Sequence, residues 1–135
     1  MFHDIRYDSL RPMTFATILF AHGARDPQWA GPFERIRERM LAARPGLDVH
    51  LAYLELMQPS LEDVVAACAA KAVGSIRLIP LFMAQGGHLK QDLPKKIAAL
   101  RERHPEIDIV VSPPIGEVEA ILDVIAAWAL GESHG

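Results

Sequence analysis

From Thr14 onward the chain alternates between two spacings of apolar residues. Thr14-Phe-Ala-Thr-Ile-Leu-Phe-Ala21 is a short run, rich in apolar and β-branched residues and free of helical gaps, which predicts a strand buried on both faces. His22-Gly-Ala-Arg-Asp-Pro27 follows as a turn-forming string. Phe33, Ile36, Met40 and Leu41 then recur on one side of a helix, with Glu34, Arg35, Arg37, Glu38 and Arg39 around them, until Pro45-Gly46 stops it. A second strand is predicted over 48–55. Pro59 and Ser60 open a second helix, with Ser60 as its cap, Asp63 in its first turn and Leu61, Val64, Val65, Cys68 and Ala72 as its inner stripe; Gly74 ends it. A third strand covers 75–80, and a long loop covers 81–92. Leu93, Ile97 and Leu100 mark a third helix that ends before Pro105, 108–111 forms a fourth strand, and 117–130 forms a last helix with Gly131 beyond its end.

This βαβαβαβα order predicts an α/β fold: a four-stranded parallel, doubly wound sheet with helices on both faces. One domain is expected over 14–131, with residues 1–13 as a loose N-terminal extension or a product of a misplaced start ahead of Met13. The length, 135 residues, suits one domain, and a half-apolar composition argues against a disordered chain. A net charge of −3 makes a general nucleic-acid binder a poor fit, because phosphate neutralisation needs a basic field. No apolar run approaches the ~20 residues of a membrane span, and the first thirteen residues lack the apolar centre of a secretory signal. Cys68 is the single cysteine, which excludes an internal disulfide and a zinc site built on cysteines. A reducing, cytoplasmic setting is expected.

In an open parallel sheet, ligands collect outside the carboxyl ends of the strands. His22 follows the first strand, Glu55 ends the second, the loop bearing His88 follows the third, and Pro113-Pro114-Ile115-Gly116 follows the fourth. Each has a plain structural alternative. His22 can bond a nearby carbonyl, Glu55 can be a solvated strand end, and His88 can be a surface histidine beside the freely turning Gly86-Gly87. Arg25 can pair with Asp26 or hold a carboxylate. Meeting at one rim, however, two imidazoles and a carboxylate can hold a divalent first-row ion and leave coordination positions open. The chain has no HExxH, CxxC or P-loop, and its serines include no GxSxG elbow. Ala21 stands where a histidine phosphatase needs arginine before His-Gly. Hydrolytic readings therefore fall away.

Three segments together resemble the sirohydrochlorin chelatases of the short, single-domain CbiX type. They are the strand with His22-Gly-Ala-Arg-Asp-Pro27, then Tyr53-Leu-Glu-Leu-Met-Gln-Pro-Ser-Leu61, and Ile79-Pro-Leu-Phe-Met-Ala-Gln-Gly-Gly-His-Leu-Lys-Gln-Asp-Leu-Pro94. The resemblance implies a class II chelatase half-domain. It also implies ATP-independent insertion of Co²⁺ or Fe²⁺, with Ni²⁺ in some relatives, into a sirohydrochlorin-like tetrapyrrole for cobalamin or sirohaem synthesis. The metal is then a substrate, and no permanently bound cofactor is expected. By the same resemblance His22 and His88 are metal-binding, and Glu55 assists deprotonation or metal delivery. Ala24 departs from the family's usual serine, and Met83-Ala84-Gln85 from a more leucine-rich loop.

Metal insertion needs a base for two pyrrole protons and an ion held loosely enough to leave, roles that His22, Glu55 and His88 can share. The apolar loop from Leu81 through Phe82 and Met83, made pliable by Gly86 and Gly87, is expected to cover the flat ring with the Pro113-Pro114 turn. Arg25, Lys90, Lys95 and Lys96 are the cations available for its carboxylates. A half-cleft of this size predicts a homodimer with facing sheet edges around the substrate. The competing reading is a non-catalytic metal or tetrapyrrole carrier that uses the same histidines.

Overall fold

Strand β1 (Phe15–Ala21) carries the first apolar run, and its place explains its composition. It is flanked by β2 (Val49–Tyr53) on one side and β3 (Ser75–Pro80) on the other, so Ile18, Leu19, Phe20 and Ala21 are all buried. With β4 (Asp108–Val111) the four strands form one parallel sheet in the order β2-β1-β3-β4. Registers such as Ala21↔Tyr53 and Phe20↔Pro80 bring the strands' carboxyl ends to one rim. The computed structural model describes residues 14–132. The extension expected over 1–13 lies outside them.

Four helices connect the strands: α1 (Gly31–Ala43), α2 (Leu61–Ala70), α3 (Gly87–Arg103) and α4 (Glu119–Ala129). Ser60 caps α2 as its position suggested, its Oγ accepting from the Asp63 amide at 3.1 Å. Ile18 and Phe20 of β1, Ile76 and Leu78 of β3, Val65 and Cys68 of α2, and Ile97 and Leu100 of α3 form one core. That face is sealed. The opposite face is covered loosely by α1 and α4: neither helix has a buried residue, and a gap of about 500 Å³ separates them over Leu19 and Ile79. The apolar stripe of α1 is accordingly only half-buried, with Ile36 exposed. Both edge strands receive arginine donors, Arg37 Nε on the Val49 carbonyl at 2.6 Å and Arg101 Nη2 on that of Ile109 at 2.7 Å. No helix among the described residues is long and apolar enough to cross a membrane.

Several boundaries move. The loop expected over 81–92 is shorter, because α3 begins at Gly87 and carries Pro94 inside it. Proline inside a helix removes one hydrogen bond and is commoner in a first turn, so Pro94 together with Gly86-Gly87 gives the sequence no sign of a helix already under way at 87. Strand β2 ends at Tyr53, although the Leu54 and Glu55 amides still donate to the carbonyls of Ala21 and His22. Ala72 is not in the inner stripe of α2; it lies past the helix, exposed, with φ of 60°. The last helix is trimmed to 119–129, with a 3-10 turn at Ile115–Glu117 before it.

Phe20 is fully buried, and its ring meets that of Phe82 edge-on at 5.6 Å. Phe20→Ala is expected to destabilise the fold by about 3–5 kcal/mol, from lost burial plus the residual cavity. Urea unfolding of the variant against the parent chain measures it.

Candidate metal and substrate cleft

The rim is organised by the backbone at the end of β1. As the chain leaves the strand, Gly23 adopts φ of 97°, a left-handed conformation costly for any other residue. This turn lies directly on the segment after β2: the Glu55 amide donates to the His22 carbonyl at 3.1 Å, and a Cβ at Gly23 would lie 1.9 Å from the Glu55 carbonyl oxygen. A side chain at 23 would push the two segments apart. His22 and Glu55, far apart in sequence, are neighbours because residue 23 has none.

The third donor comes from α3. Gly86 is its N-cap, with extended backbone at φ −71° and ψ 169°, and His88 stands in the first turn. The helix thus takes up residues expected in a loop, and it gives His88 a fixed direction. His22, Glu55 and His88 line one open cleft of about 770 Å³. All three are exposed to solvent. The His22 Nδ1 lies 3.4 Å from the Gly23 carbonyl, too far for a strong hydrogen bond, so the ring is not committed to the backbone. It is steadied by Phe82, whose ring meets it edge-on at 6.4 Å.

The rest of the cleft is a stripe along α3. His88, Asp92, Lys96, Ala99 and Arg103 recur at helical spacing and face Glu62 of α2. Lys96 Nζ donates to Glu62 Oε2 at 2.6 Å. Burial alone would raise the Glu62 pKa, but the Lys96 hydrogen bond and charge, with Arg103 beyond, bring it below the ordinary carboxylate value. Sequence reasoning counted Lys96 only as one of several available cations and missed Glu62, Asp92 and Arg103. The four-residue spacing of His88, Asp92 and Lys96 was the signal, visible only once the helix starts at Gly87.

Comparison with known proteins decides the family. The CbiX family profile matches residues 16–129. The chain belongs to the CbiX family. It is 29% identical over 113 residues to a sirohydrochlorin ferrochelatase of Priestia megaterium, covering 82% of this chain and 41% of that one. It therefore spans less than half the length of that relative. Among solved structures, a putative cobalamin biosynthesis CbiX protein of Marinobacter aquaeolei VT8 superposes with a TM-score of 0.71 at 32% identity, covering 87% of this chain and 99% of that one. The sirohydrochlorin chelatase SirB of Bacillus subtilis subspecies spizizenii, in complex with cobalt, gives 0.67 at 27% identity over 88% of this chain and 51% of that one. The four-stranded sheet is thus a chelatase-like fold.

Not every residue expected at the site of this CbiX chain reaches the cleft. Lys90 lies instead in a separate groove with Pro94 and Pro114, because two residues along the helix, more than half a turn, carry it round to the far side from His88. Leu81 lines the gap between α1 and α4, under the opposite face of the sheet. Phe82 is a core residue at 5% exposure, so it cannot spread over a flat ligand; it braces His22 from beneath. Met83 is exposed, in contact distance of the next turn: a Cβ at Gly116 would fall 1.7 Å from the Met83 carbonyl. Gly86 and Gly87 face open space. Arg25 is exposed in the turn outside the cleft, and the Asp26 carboxylate accepts from the Gln28 amide at 2.9 Å, capping the short 3-10 turn Pro27–Ala30.

Gly23→Ala is expected to lose stability beyond the about 1–3 kcal/mol of a left-handed non-glycine residue, since the Glu55 backbone cannot yield to the added Cβ. Gly86→Ala, with open space around it, should stay within about 0.5 kcal/mol of the parent. Urea unfolding of the pair separates a turn set by contact from one set by flexibility alone.

Proposed function

We propose that this protein inserts a divalent metal, Co²⁺ or Fe²⁺ and by extension Ni²⁺, into a sirohydrochlorin-like tetrapyrrole without ATP. The observation that carries the reading is the meeting of His22, Glu55 and His88 in one open cleft at the carboxyl rim of the sheet. Membership of the CbiX family and the names of its relatives, sirohydrochlorin ferrochelatases and cobaltochelatases, support the reaction class. A lone free thiol suits the reducing cytoplasm as its setting.

The chemistry is an exchange. The macrocycle gives up two pyrrole N–H protons and takes one M²⁺, so its charge is unchanged. His22 and His88 hold the ion through neutral imidazole nitrogens, which bind first-row ions well. Two protein ligands leave most of the coordination sphere to water and then to the pyrrole nitrogens. Glu55, beside His22, accepts protons released at the ring face. Lys96 and Arg103 lie farther along the cleft, where they can meet the substrate's peripheral carboxylates. Lys96 is shared with Glu62, so a substrate carboxylate competes for it.

The same reading includes a homodimer. Helix α4 presents Val124, Ile125 and Trp128 to solvent, joined by Leu130 just past its end, with Trp128 at 76% and Leu130 at 77% exposure. A contiguous apolar surface of this kind is the usual mark of a protein contact. The face starts at the turn that packs on Phe82, where the Gly116 amide donates to the Phe82 carbonyl at 3.1 Å. A second copy seated there takes this apolar surface out of water. The apolar area for this contact lies on α4, beside the loosely covered sheet face, more than along the sheet edges.

Incubating the pure protein with sirohydrochlorin and Co²⁺ or Fe²⁺, and following the absorbance spectrum, tests the activity. Insertion should run well above the spontaneous rate, and His22→Ala and His88→Ala should each slow it by about 10²-fold or more with the fold intact. No acceleration leaves the non-catalytic carrier as the reading. Sedimentation is expected to give a dimer, with Trp128→Ala weakening it by at least about 2 kcal/mol, or roughly thirtyfold in the dissociation constant. A monomer at working concentration removes the dimer from the proposal.

A further inference from the structure

A second set of metal-type donors stands at the other end of β2. Asp48 immediately precedes the strand, His50 is its second residue, and Cys68 packs across from them in α2. One carboxylate oxygen, one imidazole nitrogen and the Sγ all lie within 4.8 Å of one another. His50 pairs in register with Ile18, four residues before His22, which puts the cluster about 13 Å from the rim at the rise of a parallel strand. It is not part of the cleft.

The cluster is more than a chance of proximity. His50 Nε2 is buried without a hydrogen-bond partner, although Asp48 Oδ1 is only 2.7 Å away. Both atoms are of types that one cation can bind together, and the Cys68 Sγ lies within reach of both. Cys68 is fully buried, and burial, reinforced by the Asp48 carboxylate, raises its thiol pKa. Lys71 Nζ now serves Asp48 at 3.2 Å and 3.4 Å, but its side chain is 52% exposed and free to swing into water. In a tetrahedral site with bonds of about 2.0–2.3 Å, donors sit roughly 3.3–3.7 Å apart, so closure needs only small shifts.

We infer that Asp48, His50 and Cys68 form a second metal site, which takes a thiophilic divalent ion of the Zn²⁺ or Co²⁺ class with water as fourth ligand. One sulfur, one nitrogen and one oxygen donor suit these borderline ions better than Mg²⁺ or Ca²⁺. A lone cysteine rules out a site made of several thiolates, but a mixed site needs only one. On binding, the S–H bond breaks, the S–metal bond forms and the proton leaves to solvent. The ion ties edge strand β2 to α2, a structural task separate from chelation. Nothing in this inference requires the chelatase reading.

Because Cys68 is the only cysteine, one spectroscopic signal belongs to this site alone. Full-length protein titrated with Co²⁺ should show a thiolate-to-cobalt charge-transfer band in the near ultraviolet. The band should persist in the His22→Ala, His88→Ala double variant and disappear in Cys68→Ser. His50→Ala keeps the thiol and disturbs the core less. It should bind the band-forming ion at least about tenfold more weakly, the scale that even changes beyond the ligands can reach. Lys71→Ala should bind it at least as tightly as the parent. Cobalt uptake by folded parent protein with no such band overturns the site. So does a band of unchanged affinity in His50→Ala, which would make Cys68 a solitary ligand.

Discussion

The fit of the Gly23 turn against the backbone of Glu55 is the contact on which the rim depends. It is a steric constraint joined to one hydrogen bond, from the Glu55 amide to the His22 carbonyl at 3.1 Å. The parallel pairing of β1 and β2 brings the two segments alongside, and the missing Cβ lets them close. Everything proposed for the cleft presumes that His22 and Glu55 stay adjacent while their side chains remain open to solvent. Backbone contact achieves this without using the side chains. A side-chain link between them would have occupied those same donor atoms.

Helix α3 supplies the rest of the cleft by a different physical route. It runs from a glycine cap through an internal proline, and its charged stripe points into the cleft while Leu93, Ile97 and Leu100 face the core. One helix thus holds His88 in place by burying its opposite side. The Lys96–Glu62 pair links α3 to α2 across the cleft and keeps Glu62 ionised against the effect of burial. Half-exposed pairs of this kind contribute little to stability. Their consequence here is local: they set the charges on this wall of the cleft.

The two faces of the sheet are unequal. Beneath α2 and α3 the packing is complete, and this face carries the main core. Beneath α1 and α4 it is not, and the large apolar side chains of α4 remain in water. Such an arrangement is incomplete rather than unstable, since one sealed face suffices to fold a domain. The turn at Ile115–Glu117 joins this open face to the segment after β3, where the Gly116 amide donates to the Phe82 carbonyl.

Apolar spacing in the sequence was enough for the four strands and the four helices, because burial on one or both faces imposes periods that the chain must obey, and their alternation was enough for a parallel sheet; the order β2-β1-β3-β4 was not legible. It also placed His22, Glu55 and His88 at the carboxyl rim, since each follows a strand. Residue types alone could not show that α3 starts at Gly87, because glycines and an internal proline mimic a loop and a helix start; packing against the core overrides those local preferences. They could not turn Lys90 out of the cleft or bring Arg103 and Glu62 into it, since that depends on the angular phase of α3. Nor could spacing reveal that Asp48, His50 and Cys68 converge, or that α4 stays uncovered. Those are relations between elements, decided only when the helices pack on the two faces of the finished sheet.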